Sequence, residues 1–294
     1  MAFNVQTFRT RSLTAVIFAA VMITGLLLNQ WSFFILFSVI HFGCWVEYQK
    51  LVGLIDPEYK NITPFHRYGV MIAGWCLMLF FSSDNFQLLG IRLNELGWWT
   101  GLVFLFILPV TETLFTRELR LKNVAYSAFG LVYISLCWAL MMNLYTTRDV
   151  HVHDTIYVLQ AWLFPVVIIA SIWINDTMAY ISGSLIGKTP LSPVSPKKTW
   201  EGTIGGVVLS VGTIGLLSYY AFHFGALTIY LVVIAFIASV VGTVGDLLES
   251  KLKRLANVKD SGSLMPGHGG FLDRFDSLLL AIPMVWLFVY FLFR

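Results

Sequence analysis

Charge is scarce in this 294-residue chain, where Asp, Glu, Lys and Arg together make up 12%, about half of what a soluble domain carries. That scarcity excludes an ordinary water-bathed surface. The sequence also lacks internal repeats, low-complexity tracts and any polar stretch long enough for a separate soluble domain. Its three cysteines, Cys44, Cys76 and Cys137, lie inside apolar runs at no ligand-like spacing, so neither a disulfide framework nor a zinc pattern is present. The excess of 19 Lys plus Arg over 16 Asp plus Glu is too small to point to nucleic acid. There is no Gly-x-x-x-x-Gly-Lys-Ser/Thr loop and no dinucleotide fingerprint.

What is present is apolar and aromatic: 57% hydrophobic residues, with 24 Phe, 12 Tyr and 10 Trp, and a mean hydropathy of +0.77. A bilayer tolerates such a surface, and its interfaces favour aromatic belts. Apolar runs fall near residues 13–28, from 31 onward, 65–81, 96–115, 124–145, 155–174, 202–222, 227–248 and 277–293, most of them close to the ~20 residues a spanning helix needs. The first run, behind Arg9 and Arg11, imitates a secretory signal. No small-x-small cleavage site follows it and a second run begins at Trp31, so it reads as a retained span. The alternation that a transmembrane barrel requires is absent. The expected fold is therefore an all-α, polytopic membrane helix bundle of about nine transmembrane helices.

Lys and Arg test that reading independently. Of the 19, 16 fall in the N-terminal tail and the even-numbered loops, which places these segments and the N-terminus in the cytoplasm. Residues 1–150 read as scaffold helices and 151–294 as the region that carries chemistry. In the scaffold, Glu112 either faces the bundle interior or rises to the interface. Arg117, Arg120 and Lys122 read as positive-inside anchors, with contact to anionic lipid heads as the alternative. His151 and His153, with Asp154, form a poor metal site and read as wet surface.

The second half gathers its polar residues in two segments. In the earlier one, a helix continued past Ile174 would put Asp176, Tyr180, Gly183 and Gly187 on one face. Pro190, Pro193 and Pro196 interrupt any helix, so Lys197 and Lys198, just after Ser195, are expected on a rigid turn before a new helix near Thr199 or Glu201. Two ammonium groups beside helix N–H groups suit a phosphate ester. In the later segment, Gly242, Asp246, Glu249, Ser250 and Lys253 share a helical face, and Asp273 and Asp276 stand together at i, i+3. Carboxylates at such depth call for pairing, hydration or a metal, and oxygen ligands suit Mg²⁺ when phosphates complete its shell. Lys253, Arg254, Lys259 and Arg274 are placed to meet nucleotide phosphates. The turn Gly267-His268-Gly269-Gly270 offers close backbone approach to a ligand. Composition and spacing lead to a metal- and phosphate-binding site at the cytoplasmic face, and leave a lipid kinase of the polyprenol or dolichol type and a transporter as alternatives.

The run Ser250-Lys251-Leu252-Lys253-Arg254, then Lys259-Asp260, then His268-Gly269-Gly270-Phe271-Leu272-Asp273-Arg274-Phe275-Asp276 resembles the signature of phosphatidate cytidylyltransferases, the CDP-diacylglycerol synthases. Asp176-x-x-Ala179-Tyr180 and Ser195-Pro196-Lys197-Lys198-Thr199-Trp200-Glu201-Gly202 resemble the same family. The likeness covers roughly residues 165 to 294. It implies transfer of cytidylate from CTP to phosphatidic acid with Mg²⁺, a monovalent cation such as K⁺ as a second ion, and a homodimer in the bacterial inner membrane. It places the metal on Asp246 and Asp273 with Asp276 adjacent, and phosphate groups on Lys197, Lys198, Lys253 and Arg274. Asp176 is expected to serve the metal or position the nucleotide, and Tyr180, Ser195, Lys259, Asp260, His268, Gly269 and Gly270 are expected to position the nucleotide.

Overall fold

The computed structural model describes residues 5–115 (side chains from 13), 120–152, 155–263 and 269–293. Among them nine helices follow in order: α1 Val5–Leu27, α2 Gln30–Ile55, α3 Pro64–Phe80, α4 Leu93–Phe115, α5 Leu121–Thr146, α6 Leu163–Ile186, α7 Trp200–Ala221, α8 Leu227–Leu255 and α9 Leu272–Leu292. Seven are long and apolar enough to cross a membrane. The other two are α1, whose described apolar stretch is Leu13–Leu27, and α3, with 17 residues. A short 3-10 helix, Pro57–Asn61, and three antiparallel hairpins complete the described elements: β1 Gln87–Leu88 with β2 Ile91–Arg92, β3 Asp149–Val152 with β4 Thr155–Val158, and β5 Pro190–Ser192 with β6 Ser195–Thr199.

Two sequence expectations are corrected here. The apolar run 155–174 is not one helix: its first four residues form β4, and α6 begins at Leu163 and continues to Ile186. A short run rich in β-branched and aromatic residues satisfies strand and helix equally by pattern, and pairing with β3 decides it. Lys197 and Lys198 stand on strand β6 rather than on a turn. A two-stranded hairpin consists only of edges, so it accommodates Pro190 and Pro196.

Local chemistry explains where the helices begin. Asn29 starts α2 through a capping box with Ser32, the Ser32 amide donating to Asn29 Oδ1 at 2.9 Å and the Asn29 amide to Ser32 Oγ at 3.1 Å. Thr199 starts α7 by accepting the Gly202 amide at 3.1 Å.

The chain divides into two units, the described residues of Met1–Phe80, Asp84–Ser135 and Leu255–Phe275, and those of Phe81–Ser83, Leu136–Arg254 and Asp276–Arg294. In the first unit, Trp45 and Tyr48 of α2 are buried with Met78 and Ile134, and Trp45 Nε1 donates to Ser135 Oγ at 2.8 Å. The α4 side chains Leu105, Phe106, Leu114 and Phe115 remain exposed, a surface suited to hydrocarbon. Glu112 is buried, its Oε2 3.0 Å from His66 Nδ1, so it faces inward.

In the second unit α6 and α7 pack closely because small residues meet. A Cβ on Gly206 would stand 2.6 Å from the Asn175 carbonyl oxygen, and one on Gly202 would stand 2.7 Å from that of Ala179. Such contacts let two backbones approach where no water is available to drive association. Buried hydroxyls join three helices: Ser210 Oγ of α7 donates to the Ser171 carbonyl of α6 at 2.8 Å, and Ser239 Oγ of α8 to Ser210 Oγ at 3.1 Å.

Candidate nucleotide and phosphate site

The α6, α7 and α8 arrangement opens a cavity of about 550 Å³ within the second unit. Asn175, Asp176, Ala179, Tyr180, Gly183 and Ser184 of α6 form one wall, Ser195, Lys197, Lys198 and Thr199 with Thr203 of α7 another, and Thr243 and Asp246 of α8 a third. Six residues expected from the sequence, Asp176, Tyr180, Ser195, Lys197, Lys198 and Asp246, therefore share one chamber. The face predicted for a longer sixth helix is the face that α6 presents, because the helix runs past Ile174 to Ile186.

The hairpin that carries the lysines is pinned at its base. Glu201 accepts the Lys188 and Thr189 amides, each at 3.1 Å, and the Thr189 hydroxyl at 2.8 Å, while the Trp200 amide donates to the Thr189 carbonyl at 3.0 Å. Lys198 Nζ contacts the Asp246 carboxylate, to which Ser250 Oγ also donates at 3.3 Å. Both side chains stay about a quarter exposed, at 28% and 26%, and Lys197 is exposed. Below them, Asn175 Nδ2 donates to Thr243 Oγ1 at 3.3 Å and Thr243 Oγ1 to the Ser239 carbonyl at 2.9 Å, so the floor continues the hydroxyl string that joins the helices.

The charges converge. Asp176 lies within electrostatic range of Lys198 and of the like-charged Asp246. Asp276 is buried and feels Asp246, Asp176 and the Lys253 ammonium. Lys253 itself pairs with the fully buried Glu249 at 2.5 Å, so its first partner is a carboxylate of its own helix. No group of three or more His, Cys, Asp or Glu side chains among the described residues is arranged to hold a metal. The donor chemistry nevertheless fits Mg²⁺, which takes one or two carboxylates and completes its shell with substrate phosphates. Asp176 and Asp246 in one open cavity are such a pair.

Of the remaining expected residues, Arg254 belongs to the second unit and Lys259, Asp260, Gly269, Gly270, Asp273 and Arg274 to the first, while Gly267 and His268 lie outside the described residues, as do Arg117, His153 and Asp154. Asp273 Oδ2 accepts the Gly270 amide at 2.8 Å and both the amide and hydroxyl of Ser261 at 2.9 Å. Gly269 has φ +81°, and a Cβ there would stand 2.6 Å from Asp273 Oδ2, so this glycine makes room for a neighbouring carboxylate. Lys259, Asp260 and Arg274 are exposed. The sequence reading missed Thr203, Thr243 and the serine string. Hydroxyl residues in apolar helices carry a weak signal, because each satisfies its own i−4 carbonyl when nothing else is near.

Fold and cavity together define a class: a polytopic membrane protein with an open chamber between α6, α7 and α8, lined by two lysines and two aspartates. Residues 9–292 match the model of the cytidylyltransferase family, and the chain belongs to that family. It is 32% identical over 278 residues to a phosphatidate cytidylyltransferase of Staphylococcus saprophyticus, covering 94% of this chain and 97% of that protein. Identity to the phosphatidate cytidylyltransferase of Bacillus subtilis is 34% over 219 residues, 74% of each chain. With that of Staphylococcus aureus it is 40% over 181 residues, 61% of this chain and 64% of the relative.

Proposed function

We propose that the cavity between α6, α7 and α8 is where CTP meets phosphatidic acid, and that the protein transfers cytidylate between them, releasing CDP-diacylglycerol and pyrophosphate. The observation that carries this reading is the joint placement of Lys197, Lys198, Asp176 and Asp246 in one chamber of a chain that belongs to the cytidylyltransferase family.

The chemistry needs little from the protein beyond placement and charge. An ionised phosphatidate oxygen attacks the α-phosphorus of CTP, a P–O bond forms, and the bond to the β-phosphate oxygen breaks. The nucleophile is already anionic, so no general base is required. The barrier lies in bringing two polyanions together and aligning them in line. Lys197 and Lys198 reduce that repulsion, and the pinned hairpin holds them above the chamber. Lys198 exchanges the Asp246 carboxylate for a phosphate oxygen at small cost, because the pair is partly hydrated. Thr203, Thr243 and Ser195 offer hydroxyls to the nucleotide. Asp176 and Asp246 would hold Mg²⁺, which would neutralise charge on the triphosphate, and the resemblance supports Asp276 beside them. The resemblance supports adding Asp273 to that set, K⁺ as a second ion, and association of two copies. Lys253, Arg274, Lys259, Asp260, His268, Gly269 and Gly270 serve the nucleotide on the same grounds. The distribution of Lys and Arg supports nine spans, a cytoplasmic N-terminus and a site open to the cytoplasm of a bacterial inner membrane.

The deciding assay is purified full-length protein with phosphatidic acid, CTP and Mg²⁺, following CDP-diacylglycerol and pyrophosphate. CTP labelled in the γ position should release its label as pyrophosphate. Label in the lipid would establish a kinase instead, and flux of a substrate across vesicles with no pyrophosphate would establish a transporter.

A further inference from the structure

The hairpin that carries Lys197 and Lys198 is a weak element by itself. A two-stranded hairpin is marginally stable in isolation. This one has Pro190 in β5 and Pro196 in β6, which bring no N–H to the ladder, and its register shifts between Pro190 and Ser192. Its lysines nevertheless line one wall of the chamber, and Lys198 reaches Asp246 on α8. The aim of the hairpin therefore comes from the contacts at its base.

Glu201 makes most of those contacts. It stands in the first turn of α7, where free N–H groups favour a carboxylate. Its Oε2 accepts the Lys188 and Thr189 amides, 13 and 12 positions earlier, each at 3.1 Å, and its Oε1 accepts the Thr189 hydroxyl at 2.8 Å. One ionised acceptor thus ties the chain entering the hairpin to the helix leaving it, through bonds stronger than neutral ones. Beside it, Thr199, the residue after Lys198, is seated among glycines: a Cβ on Gly187 would stand 2.5 Å from Thr199 Oγ1, and one on Gly202 2.9 Å. The lining of the chamber does not include Glu201. Its influence on the site passes through the hairpin.

We propose that Glu201 is a positioning residue for the reaction, clamping Lys188 and Thr189 so that the hairpin holds Lys197 and Lys198 against the triphosphate. This rests on the reading of the chamber as the CTP site. The clamp works by hydrogen-bond geometry rather than by its charge in the chamber, which sets it apart from Asp176 and Asp246. Displacement of positioned groups by about 1 Å can cost about 100-fold in rate.

The test uses the full-length protein in phosphatidic acid vesicles with CTP and Mg²⁺, comparing wild type, Glu201→Ala, Glu201→Gln and Lys198→Ala. Glu201→Ala removes all three acceptor contacts and is expected to lower kcat/KM for CTP by about 100-fold with a retained melting temperature. Glu201→Gln keeps an oxygen for the two amides and offers its N–H to the Thr189 hydroxyl, so it should recover most of that loss. In the Lys198→Ala background the cost of Glu201→Ala should shrink to about 10-fold or less, as expected for residues acting in one chain of contacts. Wild-type CTP dependence in Glu201→Ala, or a lowered melting temperature as its sole effect, overturns the proposal. So does a loss in Glu201→Gln as large as in Glu201→Ala, or an undiminished effect in the Lys198→Ala background. If Glu201→Ala does not accumulate in the membrane, Glu201→Asp, which withdraws the carboxylate by one methylene, decides by the same criteria. Wild-type protein that makes no CDP-diacylglycerol overturns the functional reading instead.

Discussion

The two units hold their acids differently. In the first, Glu47 ends on the Phe271 and Leu272 amides and the Ser261 hydroxyl, and Glu112 ends on His66, whose Nε2 is 2.8 Å from Ser127 Oγ. In the second, Asp176 and Asp246 line an open chamber of about 550 Å³ opposite two lysines. Depth in an apolar chain therefore does not mark a ligand site. What distinguishes the regions is whether protein donors hold the carboxylate in a closed cluster or leave it facing space that a ligand can enter.

The largest effect that follows is at Asp246. Asp246→Asn removes charge from the chamber and is expected to lower kcat/KM on the order of 10²- to 10³-fold, as for other preorganised electrostatic groups, while the melting temperature holds. Steady-state kinetics at sub-saturating Mg²⁺ with a parallel melt check it. Near-normal turnover would break the comparison from the catalytic side.

The mirror experiment is in the first unit. Glu112→Leu leaves His66 Nδ1 without its acceptor in a buried setting, which should destabilise the protein by about 1–3 kcal/mol and leave kcat unchanged. Thermal unfolding in detergent beside the turnover assay separates the two. Loss of turnover in folded protein would show that this closed cluster also serves the reaction.

How much of this was legible in the sequence depends on distance along the chain. Nine apolar runs anticipated a helix bundle, with nine helices among the described residues and seven of them long and apolar enough to cross a membrane, because hydrocarbon leaves few other ways to satisfy a backbone. Asp176, Lys198 and Asp246 stood out because polar residues in an apolar chain are rare and these followed helical spacing or clustered at a helix start. The tie from Glu47 to Ser261 was not legible, since no local pattern relates residues 214 positions apart. Glu47 gave one signal, an acid inside an apolar run, but such a residue reads equally as an interfacial group. The hairpin under Lys197 and Lys198 was hidden by its prolines, which argue against a helix but do not distinguish a turn from a pair of edge strands.

The smallest expected effect tests surface charge that belongs to neither cluster. Lys122 Nζ lies 2.7 Å from Asp56 Oδ2 just beyond α2, with the Lys122 side chain 68% exposed. The hydrogen bond from Lys122 is the main reason the Asp56 carboxyl sits below its ordinary range, burial opposes it, and the Glu58 amide adds to the lowering. A carboxyl held low in the folded state stabilises the fold above its unfolded pKa, about 3.9, and that stabilisation is lost as pH falls through the folded value. Lys122→Met should therefore lower the melting temperature slightly and by a constant amount from neutral pH to about pH 5, and the difference should shrink below about pH 4. Melting curves for both proteins across that range measure it. A difference that grows on acidification would mean that Asp56 is stabilised by something other than the Lys122 ammonium. The separation of surface pairs from the closed clusters of the first unit would then have to be redrawn around Arg120, the next cation to act on that carboxylate.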